Sequence, residues 1–404
     1  MADSQILAID IGGSKLLTAL VDVHEITLCK GAEDVNPTLA QGENRKRIER
    51  EVLSTGFRPS LSALHSSDQG VSTGLNNKNA DVVPTTRSQE TTFGSKRKKA
   101  VLSGISKRLL YKTSQKADIL REIDKAIGET FRQTGKDWIN ISQIGLTIPG
   151  LADGKRGDWI FAPFSGIADF PIASILSQKY DREVFADNDV NACAWGEKIF
   201  GVCQDIDDFL WITISNGIGG GLVLNGQIYP GTFGGAAEFG HFNIVENGNL
   251  CGCGNRGCLE AHAAGPAIAR RFRTILDNRA NELIRFAAAS GQKEFEDQTD
   301  LDISAASIAQ AAYNGYELAI QVFNETGHYL GRAAAFAANL INPSKIIIGG
   351  GVSGAFDLFQ PEMERTFWSQ VIGTANKNVK IEKTGLGYEA GLFGAASLIY
   401  QKRD

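Results

Sequence analysis

The chain is sparing with cysteine, has no long apolar run and carries no excess of positive charge, and each shortage removes a class of protein. Six cysteines in 404 residues are too few for a disulfide scaffold. No run of eighteen apolar residues occurs, so no transmembrane helix is expected. The start, "MADSQILAIDIGGSK", lacks the basic region, apolar core and small-residue cleavage site of a secretory signal, which points to a cytoplasmic protein. A formal net charge of −5 argues against a general nucleic-acid binder or a cationic membrane-surface protein and favours a small-molecule ligand. Neither the P-loop pattern GxxxxGK[ST] nor a GxGxxG opening a helix after the first strand is present.

What is there suggests two α/β halves. A chain of 404 residues exceeds what one core usually holds, so two domains are expected. "ILAIDI" (6–11) and "LLTALVDV" (16–23), joined by "GGSK", predict a strand, a tight turn and a returning strand. "DFLWITISNGIGGGLVLNG" repeats that arrangement later. Ile119, Ile123, Ala126 and Ile127 recur at helical spacing and predict a helix over 116–135. Strands are expected in "ISQIGLTIPG" and "NPSKIIIGGGVSG", a strand entering a helix in "REVFADNDVNACAWGEKIFG", a long apolar helix over roughly 317–340 and a closing helix in "EAGLFGAASLIYQ". Two related halves with a cleft between them follow. The window 41–110 breaks the pattern: it holds 13 lysines and arginines against 6 acids and no sustained periodicity. It reads as an inserted, mobile segment, a solvated loop in the plainer view and a phosphate-attracting lid in the other.

In "AIDIGGSK" Asp10 stands at a strand end, followed by Gly12, Gly13, Ser14 and Lys15. Missing side chains let backbone N–H groups approach a phosphate, and an aspartate nearby can hold a hydrated Mg²⁺ ion. Alone, a plain hairpin turn explains the motif equally well. It is not alone, because "SNGIGGG" (215–221) contributes Gly217, Gly219 and Gly220, and "IIIGGGVSG" (346–354) contributes Gly350 and Gly351. Three glycine turns in two halves point to a nucleotide clasped between domains, as in the superfamily of sugar kinases, heat-shock proteins and actin.

Half of the cysteines fall in "HFNIVENGNLCGCGNRGCLEAH" (241–262). Cys251, Cys253 and Cys258 with His241 make a tetrahedral Cys₃His zinc set; free buried thiols are the alternative. Cys251 and Cys253 are too close in sequence to bond to one another without strain. Four protein ligands leave no position for water, so the metal would organise the loop and take no part in the reaction. An imidazole fixed through one nitrogen keeps the other for a hydrogen bond. With Glu238 and Glu260 tied to the same clamp, the set suits a polyhydroxylated ligand such as a sugar, unless both carboxylates are only solvated surface charges. Asp187 and Asp189 in "ADNDVNA" are near-equal candidates for a base, and either could simply cap the helix.

"DIGGSK", "DNDVNACAWGE", "SNGIGGGLVLNG", "EFGH", "CGCGNRGCLE" and "IIIGGGVSG" occur in the order found in the ROK sugar kinases, which the chain resembles over most of its length apart from 41–110. That family includes bacterial-type glucokinases and N-acetylmannosamine kinases. The resemblance implies an α/β, two-domain actin-like ATPase (ribonuclease H-like) fold with an interdomain cleft. The expected domains are 1–190, interrupted by 41–110 and completed by helix 390–404, and 191–389 with the zinc loop. It implies that Asp189 is the catalytic base, taking the proton from the sugar's 6-hydroxyl as that oxygen attacks the γ-phosphate of ATP. Asn188, Glu238, His241 and Glu260 match sugar contacts, and His241, Cys251, Cys253 and Cys258 match the ligands of a structural Zn²⁺. Asp10, Gly12, Gly13, Ser14 and Lys15 match the first phosphate loop and its Mg²⁺ region, Gly217, Gly219 and Gly220 the second, and Gly350 and Gly351 the third. A homo-oligomer, dimer or tetramer, is also implied.

Two segments depart from the family. "ISNGIGGG" replaces the more usual Gly-Thr pair before "GIGGG", and "FAPFSGIADFP" (161–171) stands where many glucokinases carry Pro-Asn-Leu and a following Trp. The second change bears on substrate identity. Glucose is the first choice; N-acetylmannosamine, N-acetylglucosamine, fructose and allose are the alternatives. A reading of another class is a sugar-sensing regulator without kinase activity. Such regulators carry a helix-turn-helix ahead of the first phosphate loop, and "DIGGSK", which begins near residue 10, leaves no room for one.

Overall fold

The structure is a computed structural model in which residues 5–28, 95–111, 114–162, 165–276, 280–292 and 301–401 are described. The chain divides into two compact units, Met1–Glu25 with Lys98–Asp404, and Ile26–Arg97. Of the smaller unit only 26–28 and 95–97, the ends of two strands, are described.

The elements that frame the site are, in chain order, β1 (Gln5–Ile11), β2 (Lys15–Leu28), β3 (Ser95–Leu109), α1 (Lys116–Thr134), β4 (Ile141–Ile148), β5 (Leu151–Asp153), β6 (Asp158–Ala162), β7 (Ile167–Phe170), α2 (Ile172–Tyr180) and β8 (Glu183–Asn188). Next come α3 (Asp189–Ile199), β9 (Phe209–Ile214), β10 (Ile218–Leu224), β11 (Gln227–Ile228), α4 (Gly265–Leu276), α5 (Ala305–Tyr313), α6 (Glu317–Ile341), β12 (Lys345–Gly349), α7 (Phe356–Gln370), β13 (Lys380–Lys383) and α8 (Ala390–Ser397). Two five-stranded sheets share one topology: β3-β2-β1-β4-β8 and β11-β10-β9-β12-β13. In each, a hairpin (β1 with β2, β9 with β10) is antiparallel, and two further strands add in parallel on its other side. The repetition read from the sequence is therefore a repetition of topology. Strands β5, β6 and β7 form a small third sheet.

Side-chain alternation explains the layering. Along β1, Leu7, Ile9 and Ile11 face a core built with α1 and α2, while Ile6 and Ala8 face the opposite way. Along β9, Leu210, Ile212 and Ile214 join a core with α4 to α7, while Phe209 and Trp211 face the other side. The two remaining faces meet one shared layer, in which Cys193 and Ala194 of α3 and Leu392, Ala395 and Ala396 of α8 are buried. Helices α3 and α8 thus lie between the sheets, and both faces of each sheet are covered. That is why "ILAIDI", "FLWITI" and "IIIG" read as nearly continuous apolar runs instead of alternating ones.

The strands and helices expected from the sequence are present, with one correction. The inserted segment was expected to run from 41 to 110, yet residues 95–109 are strand β3, next to β2 at the edge of the first sheet. Its lysines and arginines sit on an edge strand, where exposed charge is tolerated and discourages further pairing. The rest of the expected insertion, 41–94, lies outside the described residues. Among the described residues no helix is long and apolar enough to cross a membrane.

The central layer requires a close approach at Gly145 of β4, where a Cβ atom would lie 1.9 Å from the carbonyl oxygen of Ala395 in α8. Gly145→Ala should therefore cost about 1–3 kcal/mol by overpacking. Urea unfolding would show this as a lowered midpoint at unchanged slope; an unaltered midpoint would mean that α8 is free to shift away from the sheet.

Candidate active site

Three chain turns and one helix start build the site. Strand β1 ends at Asp10 and Ile11, the turn Gly12–Gly13–Ser14 follows, and the Gly12 N–H donates to the Lys15 carbonyl across it at 2.8 Å. Gly13 and Ser14 are exposed, so their backbone is open to a ligand. The Asp10 carboxylate accepts the Thr147 hydroxyl at 2.7 Å, and the Thr147 oxygen accepts the Ile11 N–H at 3.2 Å. On its other side the backbone of Gly391 in α8 presses close. Burial raises the Asp10 pKa, opposed by the Thr147 hydrogen bond and the Lys15 charge. Lys15 donates to the Tyr388 hydroxyl at 2.9 Å and lies over its ring.

The β8–α3 junction carries the candidate base. Asn188 caps α3: its Oδ1 accepts the N–H groups of Val190 (2.9 Å) and Asn191 (3.1 Å). Its Nδ2 donates to the Gly150 carbonyl at 2.8 Å and to Asp189 Oδ1 at 3.1 Å. The Asn188 amide is thus already engaged at both ends, so any ligand hydroxyl reaching it would have to share Oδ1 or displace one of these bonds. Asp189, the first residue of the helix, keeps partial access to solvent. Its pKa is raised to about 7, first by burial and then by the charge of Asp10, against hydrogen bonds from the Val190 N–H and Asn188. Asp187 differs. It is buried against the β5–β6 turn, where a Cβ on Gly154 would meet its carboxylate at 2.7 to 2.9 Å, and it accepts the Asn188 N–H at 2.7 Å. The geometry therefore separates the two aspartates that the sequence left equivalent.

The second turn is shorter than expected. Only Ser215, Asn216 and Gly217 lie between β9 and β10; Gly219 and Gly220 are inside β10, opposite Thr213 and Ile212. They are strand residues, and the space they leave is taken by Val190 of α3 and by Ala237 and Phe239. Gly350 has φ +82° and lies against the end of β9, and Gly351 comes next to Ser215, so the second and third turns adjoin. The Gly265 N–H at the start of α4 donates to the Ser215 carbonyl at 2.8 Å.

His241, Cys251, Cys253 and Cys258 present ligand atoms all within 4.8 Å of one another. Cys251 Sγ is 3.6 Å from His241 Nδ1, and the sulfurs of Cys253 and Cys258 are 3.7 Å apart. Bonds of about 2.0–2.3 Å to a tetrahedral zinc ion demand ligand edges of roughly 3.5–3.8 Å, which these two edges match. The imidazole's other nitrogen, Nε2, lies 3.9 Å from Glu238 Oε2. Glu260 links the cluster to the second turn: Oε1 is 3.7 Å from Cys251 Sγ, and Oε2 accepts the Ile218 N–H at 3.0 Å. A Cβ on Gly217 would come within 2.6 Å of that oxygen, which explains the glycine.

Sequence reasoning missed Thr147 and Tyr388. Thr147 left one available signal, a hydroxyl in the otherwise apolar run "IGLTI". Tyr388 left none, being far from Lys15 in the chain.

The ROK family profile matches residues 94–402. The chain is 33% identical over 259 residues to a glucokinase of Streptomyces coelicolor, which covers 64% of this chain and 80% of that protein. It is 29% identical over 257 residues to the DNA-binding transcriptional dual regulator NagC of Escherichia coli, covering 63% of this chain and 59% of the regulator. A solved ROK family glucokinase from Streptomyces griseus in complex with glucose and AMPPNP superposes with a TM-score of 0.69 at 26% identity, over 98% of this chain and 99% of that one.

Metal analysis should find about one zinc per chain. Cys253 is the exposed member of the set, and Cys253→Ser should lose the metal and the sugar affinity together. A zinc-free preparation that binds sugar as tightly as the loaded one would overturn the clamp.

Proposed function

Since the chain belongs to the ROK family, we propose that it transfers the γ-phosphoryl group of ATP to the 6-hydroxyl of a hexose, with glucose as the preferred sugar. Sugar kinase chemistry as such follows from the glucokinases among its relatives and structural neighbours. The observation that carries the assignment of roles is Asp189, at the start of α3 with a pKa near neutrality and within the field of Asp10.

Phosphoryl transfer needs little covalent help; positioning, charge neutralisation and a base within reach of the nucleophile supply most of the rate. Asp189 takes the proton from the 6-hydroxyl, and Asn188 holds the carboxylate by capping the helix and donating to Oδ1. Asp10, oriented by Thr147, would hold the Mg²⁺ that arrives with ATP and neutralises its phosphate charge, and the exposed backbone of Gly13 and Ser14 with Lys15 would receive the phosphates. Gly217, in the turn whose Ser215 adjoins Gly351, would face the nucleotide, with Gly350 and Gly351 next to that turn. Glu238, His241 and Glu260 receive the sugar hydroxyls. His241, Cys251, Cys253 and Cys258 would hold a zinc ion whose contribution is to fix this loop. The jaws of the cleft are residues 1–190 with 390–404, and 191–389. The protein works in the cytoplasm, which supplies ATP and keeps the thiols reduced.

N-acetylmannosamine and other amino sugars or hexoses are the alternative substrates, because the sugar contacts read hydroxyls common to many of them. A coupled ADP-release assay across a hexose panel with ATP and Mg²⁺ decides. The similarity to NagC supports a second reading, a sugar-sensing regulator; tight sugar binding with no ADP release from any sugar would favour it.

Asp189→Asn should lower kcat by about 10²–10⁴-fold, the usual worth of a general base, with sugar affinity kept within a few fold. Retained turnover would place the base elsewhere. The base acts when ionised, so kcat/KM should rise with pH through about 7 and level off above it; a profile flat from pH 5.5 to 8 would contradict the assignment.

A further inference from the structure

Glu197 lies in the last turn of α3 and is completely buried, although no step above uses it. Its Oε1 accepts the Thr384 hydroxyl and the Gly385 N–H (3.0 Å), and its Oε2 accepts the Val202 N–H (2.9 Å). The Thr384 oxygen already accepts the Leu386 N–H at 3.2 Å, so its hydroxyl hydrogen is free for the carboxylate. Every one of these partners is a donor, as suits an ionised carboxylate, an acceptor on all sides.

The place of this cluster gives it meaning. The chain leaves the first sheet from β8, runs along α3 and enters the second sheet at β9; it returns from β13 through 384–389 to α8, which packs on β1 and β4. Val202 belongs to the outgoing crossing, and Thr384 and Gly385 to the returning one. Thr384 is itself tied to the second sheet, its N–H donating to the Ile348 carbonyl of β12 at 2.9 Å. Asp189 stands at the other end of α3, and Gly391, one residue into α8, lies against the Asp10 carboxylate.

We propose that Glu197 is a positioning residue: its buried carboxylate pins the outgoing crossing to the returning one and thereby fixes where Asp189 stands relative to Asp10. The effect on turnover rests on the sugar-kinase reading; the pin itself does not.

Glu197→Gln keeps the shape but turns one acceptor into a donor that faces other donors, and backbone N–H groups cannot turn away. In Glu197→Gln, kcat should fall about 10- to 100-fold, the scale of a small misplacement of reacting groups, while calorimetric Kd values for glucose and for AMPPNP each stay within about threefold. Hydrogen exchange should show the Val202 and Gly385 amides losing protection. Thr384→Val should reproduce the loss of kcat in part and Thr384→Ser restore it, and this pair decides the matter if Glu197→Gln does not fold. Wild-type kcat in Glu197→Gln, or in Thr384→Val where that pair decides, overturns the proposal, as do losses of both affinities as large as the loss of kcat. If the wild type phosphorylates no hexose, the kinase reading falls and the exchange of the Val202 and Gly385 amides judges the pin alone: unchanged protection refutes it.

Discussion

Two carboxylates, one at the end of strand β1 and one at the start of helix α3, share one poorly solvated space, and much of the architecture can be read as what makes that tolerable. Bringing Asp10 and Asp189 together costs free energy twice, once for taking each charge out of water and once for their repulsion. Each has its own compensation. Asp10 receives the Thr147 hydroxyl and feels Lys15, whereas Asp189 sits at a helix N-terminus, with the Val190 N–H and the Asn188 amide donating to it. The compensation is incomplete for both, since burial still outweighs the hydrogen bonds and both pKa values are raised. Incomplete compensation is what a base at neutral pH needs; a fully stabilised carboxylate would be a poor proton acceptor.

The second half of the site is one mechanical block. From the sulfur and imidazole cluster, contact passes through Glu260 to the Ile218 N–H and so to the turn before β10, and the same turn receives the first N–H of α4 at Ser215. His241 turns Nδ1 to the sulfurs and Nε2 towards Glu238, two-thirds of whose side chain is exposed. The groups that would read the sugar and the turn that would face the nucleotide are therefore fixed to each other, so a loss of order in the cysteine loop reaches both ligands.

Local pattern made some of this legible and left the rest invisible. Buried strands declare themselves as apolar runs, which is how β1, β9 and β12 could be placed; "CGCGNRGC" carries a chelate spacing, and its three sulfurs come within 4.8 Å of one another and of a His241 nitrogen. The pairings between distant residues were not legible. Nothing near Asp10 announces Thr147, and nothing near Lys15 announces Tyr388, because sheet register and the return of α8 bring them together. Glycine spacing misled at Gly219 and Gly220, since a glycine run looks the same in a turn as in a strand that yields room to Val190 and Ala237. The basic stretch at 95–109 misled for a related reason, because an edge strand tolerates the charges that mark a loop.

The same framework serves glucokinases and a transcriptional regulator, so the fold alone cannot decide catalysis. A sugar sensor would need only its sugar-reading groups, on our proposal Glu238, His241 and Glu260, and has no use for a carboxylate held near neutrality beside a second one at a glycine turn. Removing either charge would relieve repulsion and burial and leave the proposed sugar contacts Glu238, His241 and Glu260 in place. A pure sensor would therefore gain stability by losing Asp10 or Asp189. This chain keeps both, together with Thr147 to orient one and Asn188 to hold the other. Retaining an arrangement that opposes folding is physically intelligible where a proton has to be moved.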